Sequence, residues 1–197
     1  MVPKVTPPAS PLLKDGPGLK TRLITEARDL LERDGIAALT LRAAARKAGV
    51  SHMAPYRHFT DKDDLLAAVA EQGFRELTEF MDRTVALHGT PLAGGVAYVS
   101  FALENPALYK LMFGTGLASP HRFPGLVAAG AQAFQRCVEA SRAKGAGTGG
   151  DEVPDAAIAL WAIVHGLASL AADGLVTLPP PGSEREKRIA AILDAAS

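Results

Sequence analysis

Apolar positions recur with helical spacing along most of the chain, and no stretch alternates with period two long enough to argue a strand. Leu23, Ile24, Ala27, Leu30 and Leu31 form one stripe, which predicts a helix over about 18–34 ended by Gly35. Leu41, Ala44, Ala45 and Ala48 predict a second over 41–48, with Thr40 placed to cap its first free N–H groups. Gly49 falls where the chain must leave that helix through left-handed backbone. Val50 is expected to point back into the core, and Ser51 to cap a short helix over 52–58. Thr60-Asp61-Lys62 then opens a long helix over 62–87, with Leu66, Val69, Leu77, Phe80, Met81 and Val85 on its inner face. Proline and glycine punctuate the rest into helices near 91–104, 107–113, 124–143, 153–173 and 184–195, with a glycine-rich loop after Lys144. The fold class is therefore all-α.

Two short helices set at an angle by a glycine-bearing turn make a helix-turn-helix, whose second member fits the DNA major groove. Residue order sharpens this into a family resemblance. Thr40, Ala48-Gly49-Val50-Ser51, Tyr56-Arg57-His58-Phe59 and Lys62 followed by Leu65-Leu66 stand as in the DNA-binding domain of TetR-family transcriptional regulators, which residues 18–70 resemble. Trp161, His165 and Gly166, with Asn105-Pro106 and the run to Phe113, resemble the C-terminal subgroup of that family named for its Trp, His and Gly. After an arm over 1–17, the resemblance implies a three-helix DNA-binding domain over 18–64 and a helical ligand-binding and dimerisation domain over 65–197. It implies a sequence-specific regulator, expected to be a repressor released from a palindromic double-stranded operator by a small-molecule effector. The competing expectation is a helical ligand-binding or interaction protein with little DNA specificity.

Composition adds where the charge sits. The 197-residue chain is neutral overall, yet Lys20–Thr60 carries eight Lys or Arg against four acids. A basic head on a neutral chain suits a protein that meets DNA at one end. The first seventeen residues hold five prolines with Lys4 and Lys14, and are expected to be a disordered tail. They lack the apolar segment of a secretory signal. The apolar run Ala156–Ala172 is expected to be too short for a bilayer, so the location expected is cytoplasmic, without membrane contact. Such a run, apolar nearly all round with Gly166, Ala168 and Ala172 interleaved, calls for burial on more than one side. A second copy of the chain would supply it, and the resemblance implies a homodimer through the last two helices.

Phosphate contacts are implied by the resemblance for Thr40, Tyr56, His58 and Lys62. Base reading is expected from Ser51, His52, Met53, Ala54 and Pro55, supplemented by Arg42 and Arg57. None of the five is Arg, Asn or Gln, so bidentate base contacts are missing and specificity is expected from half-site spacing, DNA shape and thymine-methyl contacts. Effector contacts are expected from Tyr98, Phe101, Met112, Phe113, Phe134, Trp161 and His165, with an apolar or neutral ligand, since no charge is evidently aimed at them. The single cysteine, Cys137, excludes an internal disulfide and is expected to be buried filler. No phosphate loop, nucleophile elbow or metal-ligand spacing occurs, so neither an enzyme, a cofactor nor a metal site is expected.

Overall fold

The computed structural model describes residues 18–114, 117, 119–143 and 153–196. The arm expected over 1–17 and the loop expected after Lys144 lie outside them. Among the described residues there is no strand, and the chain divides into two compact units between Leu65 and Leu66.

In the first unit, α1 spans Leu19–Ala38 and buries Leu19, Leu23, Ala27, Leu30 and Leu31. Gly35 interrupts it at φ 78°, so the helix predicted to end there kinks and winds a further turn. α2, Leu41–Lys47, packs on α1 and buries Leu41, Ala43, Ala44 and Ala45. The Ala43 amide donates to Thr40 Oγ1 at 3.0 Å, which is the expected cap. Gly49 sits at φ 65°, a conformation in which a Cβ would crowd the following carbonyl.

The next element differs from expectation. Residues Ala54–Arg57 form a single 3-10 turn rather than an α-helix over 52–58. Pro55 lies in its first turn, where the missing N–H is tolerated, and the tighter i→i+3 pattern suits so short a piece. α3, Lys62–His88, opens on reciprocal carboxylate caps: the Asp64 amide donates to Asp61 Oδ1, and the Thr60 amide to Asp64 Oδ2, both at 2.9 Å.

In the second unit α3 continues beside α4 (Pro91–Glu104), α5 (Pro106–Phe113), α6 (Pro124–Ala143), α7 (Asp155–Ala172) and α8 (Ser183–Ala195). The Leu92 amide donates to Thr90 Oγ1 across Pro91, and Asn105 Nδ2 donates to the Phe101 carbonyl, so α4 is held at both ends. α4 is the central element, packed on α5, α6, α7 and α8 and buried from Ala97 through Ala102. Gly95 permits the approach of α8: a Cβ there would lie 2.9 Å from Leu193 Cδ1.

α7 corrects an expectation. Its 18 residues have a mean hydropathy of 1.6 and are long and apolar enough, by length and composition, to cross a membrane. One side is packed on α4 and α6 through Ala157, Val164, Leu167 and Ala168. Only 22% of it is buried, and Ile158, Trp161 and Leu170 lie in the open.

Candidate functional site

Around the helix-turn-helix, local capping and packing decide which side chains stay outside. Thr40, Arg42, Ser51, His52, Met53, Tyr56 and Arg57 are exposed, Met53 to 58% and Tyr56 to 46%. The Met53 amide donates to Ser51 Oγ at 3.3 Å, so Ser51 shapes the turn. Ala54 and Pro55 are buried, which corrects their expected place on a base-reading surface: the 3-10 turn directs both inward, leaving Ser51, His52 and Met53 at its front. Val50 is half-buried and Phe59 fully buried, the latter beneath Lys20, whose Nζ lies 5.8 Å from the ring centroid.

Of the expected phosphate donors, Lys62 is already engaged and His58 is partly enclosed. Lys62 Nζ donates to the Ile36 carbonyl at 2.9 Å, tying the start of α3 to the end of α1 while keeping two protons to offer. His58 is half-buried with Nε2 enclosed and without a hydrogen-bond partner, so only Nδ1 is left to reach outward. Arg22 donates to the Ala48 carbonyl and so locks the turn before Gly49 onto α1. Two exposed cations in the last turn of α2, Arg46 and Lys47, flank this surface without having been singled out in the sequence. Their signal was present there as a charged end to an alanine-rich helix.

The second unit contains a cavity of about 400 Å³ between α3, α4, α6, α7 and α8. Met81, Val85, Leu92, Leu160, Val164 and Leu193 supply its apolar wall. Of the seven residues expected at an effector site, Tyr98 lines this cavity; Phe101, Met112, Phe113, Phe134, Trp161 and His165 are not part of its wall. Phe101 and Met112 are buried core. The other four form a ring cluster: Phe134 stands edge-on to Trp161 at 5.5 Å, Trp161 lies 5.7 Å from His165, and Phe113 lies 4.8 Å from His165. Helical spacing puts Trp161 and His165 on one face of one helix but cannot say which face borders the void.

At the heart of the cluster three polar tips meet. His165 Nδ1 lies 2.7 Å from the Tyr109 hydroxyl and 3.1 Å from that of Tyr98, and the hydroxyls are 3.3 Å apart. Burial raises the pKa of both tyrosines above the ordinary phenol value and lowers that of His165, so all three are neutral near pH 7. Cys137 is buried as expected, but on the cavity wall, and burial pushes its thiol up to about 11.

A second correction concerns charge. Asp82, Arg136 and Glu139 line the cavity, although no charged residue was expected there. The Arg136 fork donates to both oxygens of Asp82, from Nε at 2.6 Å and from Nη2 at 2.8 Å, while Nη1 reaches Glu139 at 3.2 Å. The Asp82 contact dominates in raising the Arg136 pKa further. Asp82 and Arg136 are distant in sequence, so no local pattern announces the pair. Among the described residues no cluster of His, Cys, Asp or Glu could hold a metal ion.

Comparison with known proteins agrees with the fold. The family described as bacterial regulatory proteins, tetR family, matches residues 23–69, and the tetracyclin repressor-like C-terminal domain matches residues 92–195. An HTH-type transcriptional regulator of Mycobacterium tuberculosis is 29% identical over 137 residues, covering 64% of this chain and 58% of that relative's length. A protein from Rhodococcus sp. RHA1 shares 35% identity with a TM-score of 0.71, over 95% of this chain and 97% of that one. The TetR family transcriptional regulator PfmR from Thermus thermophilus shares the fold, with a TM-score of 0.60 at 17% identity over 89% of this chain and 96% of its own.

Proposed function

Because this chain belongs to the TetR family of bacterial regulatory proteins, we propose that it is a DNA-binding transcriptional regulator, a repressor that a small-molecule effector releases from a palindromic operator. The observation that carries the reading is the surface on which Ser51, His52, Met53 and Tyr56 are exposed together behind a capped helix and a left-handed glycine. Arg42, Arg46, Lys47 and Arg57 add positive charge around it, suited to phosphates. Tyr56 and Lys62 act as backbone contacts, with Thr40 at the start of α2. His52 and Met53 face the bases.

Such a surface offers one hydrogen-bonding base contact and one apolar one. Affinity therefore comes mainly from phosphates, and specificity from half-site spacing and DNA shape. Spacing requires two heads, and the open apolar side of α7 supports a homodimer: Ile158, Trp161 and Leu170 are large side chains that a second copy would cover. The effector occupies the cavity beside Tyr98, whose size suits a drug-sized molecule. Release requires only that effector and DNA prefer different conformations of the chain. Its place of action is the cytoplasm, where the DNA is.

The test is selection of bound DNA from a random pool, followed by anisotropy titration of the recovered sequence at two salt concentrations. An enriched palindrome bound with a steep salt dependence supports the regulator. A folded protein that enriches no site supports the other reading, a helical ligand-binding protein, which the scarcity of base-reading side chains favours.

A further inference from the structure

The rim of the cavity is chemically lopsided. Its wall is apolar, and the Tyr98 hydroxyl proton is already directed at the Tyr109–His165 pair, neither of which lines the void. Among the described residues the charged lining is Asp82, Glu139 and Arg136, one negative charge in excess. The guanidinium is occupied: both outward forks bind carboxylate, and its raised pKa keeps it charged. An anionic ligand would have to evict a bidentate carboxylate and would then face two like charges. The carboxylates are in the opposite position. Each oxygen has two lone-pair directions, and Asp82 spends one per oxygen on Arg136, so acceptor capacity remains on both residues. An ion pair with spare acceptors and a net negative charge, set at the edge of an apolar void, is complementary to a cationic head on an apolar body.

We propose that the cavity selects an amphipathic monocation, its apolar part against Met81, Val85, Leu160, Val164 and Leu193 and its positive head at Glu139 and Asp82. The inference rests on the reading of this cavity as the effector site and adds the ligand's charge class. Arg136 acts as a positioning residue: it holds the two carboxylates, which would otherwise repel, on one side of the opening.

Three probes with one tail and different heads separate the possibilities: octylammonium, octanol and octanoate, titrated calorimetrically against the full chain. Protection of Cys137 from methyl methanethiosulfonate provides an independent readout, because it is the chain's single cysteine and lines the cavity. The expected result is that the ammonium binds at least about tenfold more tightly than octanoate, with octanol between them. It also protects Cys137 at the lowest concentration. Glu139→Gln is expected to weaken ammonium binding about threefold to fivefold, as suits a half-exposed charge, and to leave octanol binding unchanged. Unchanged octanol binding and circular dichroism show that the variant is folded. Equal binding of the three probes, or preference for octanoate, overturns the charge class while leaving the cavity as the ligand site. No binding by any probe, with Cys137 labelled at an unchanged rate, overturns both.

Discussion

The Tyr109 hydroxyl stands 2.7 Å from His165 Nδ1, joining α5 to α7 inside the ring cluster. The ring nitrogen has one lone pair, so it accepts from the nearer hydroxyl. Tyr98, 3.3 Å from Tyr109, then donates to the Tyr109 oxygen. That order requires neutral imidazole with its proton on Nε2, which agrees with the downward shift that burial imposes on His165.

A pH dependence of stability follows. His165 has a folded pKa below its unfolded value of about 6.5, so the unfolded chain binds more protons as pH falls. Its contribution is full above about pH 7 and is lost as the pH drops through 6.5 and below. At the alkaline end Tyr98 and Tyr109, raised by burial, lose stability as pH climbs above about 10, where the unfolded phenols ionise. Thermal unfolding from pH 5 to 8 checks the first arm: His165→Gln should flatten the slope between 5 and 7, and an unaltered slope would remove His165 as its source.

Tyr109→Phe deletes the nearer donor to His165 and leaves Nδ1 only the longer contact, 3.1 Å to the Tyr98 hydroxyl. A loss of about 1–2 kcal/mol is expected, seen as a fall of several degrees in Tm. Tyr98→Phe, which removes the longer bond, should cost less. The reverse ranking would mean that the shorter distance is not the stronger contact.

Thr40→Ala removes the oxygen that receives the Ala43 amide and should lower stability by about 1 kcal/mol. Gly49→Val should lose at least as much, since its φ of 65° is one that a β-branched residue resists. Chemical denaturation measures both. If Thr40→Ala keeps full stability yet weakens DNA binding, the hydroxyl serves phosphate rather than the cap.

On the selected operator, Lys62→Ala is expected to lessen the slope of log K against log salt by about one unit. It should also release the end of α1, because Nζ holds the Ile36 carbonyl. Lys62→Arg, retaining charge and donors, should restore most of the slope. Tyr56→Ala should weaken all sequences alike, since Tyr56 contributes position and not base identity.

Replacing Ile158 and Leu170 with Lys should turn a dimer into a folded monomer, measured by sedimentation equilibrium. Both side chains are about half exposed on α7, so a single chain tolerates charge there while an apolar contact between copies does not. Persistence of the dimer would place the contact elsewhere.

Element boundaries were legible in the sequence because they are made locally. Thr40, Gly49, Pro91 and Gly114 act on backbone groups within a few residues, and α4, α5 and α6 begin and end within a residue of where these signals put them. The family was legible for the same reason, since its motif is a run of caps, turns and short-range spacings. The recognition turn was the exception: Pro55 in a four-residue element favoured 3-10 geometry over α, which put Ala54 and Pro55 inside.

What the tertiary structure alone decided is which buried face borders empty space. Helical periodicity puts Trp161 and His165 one turn apart on one face of α7, but does not say what stands opposite. Packing closed the aromatic residues around His165 and opened the cavity instead where Gly94 and Gly95 thin α4, and where Asp82 meets Arg136 from another helix. Local chemistry determines where a helix starts and stops; long-range contact decides what its faces enclose.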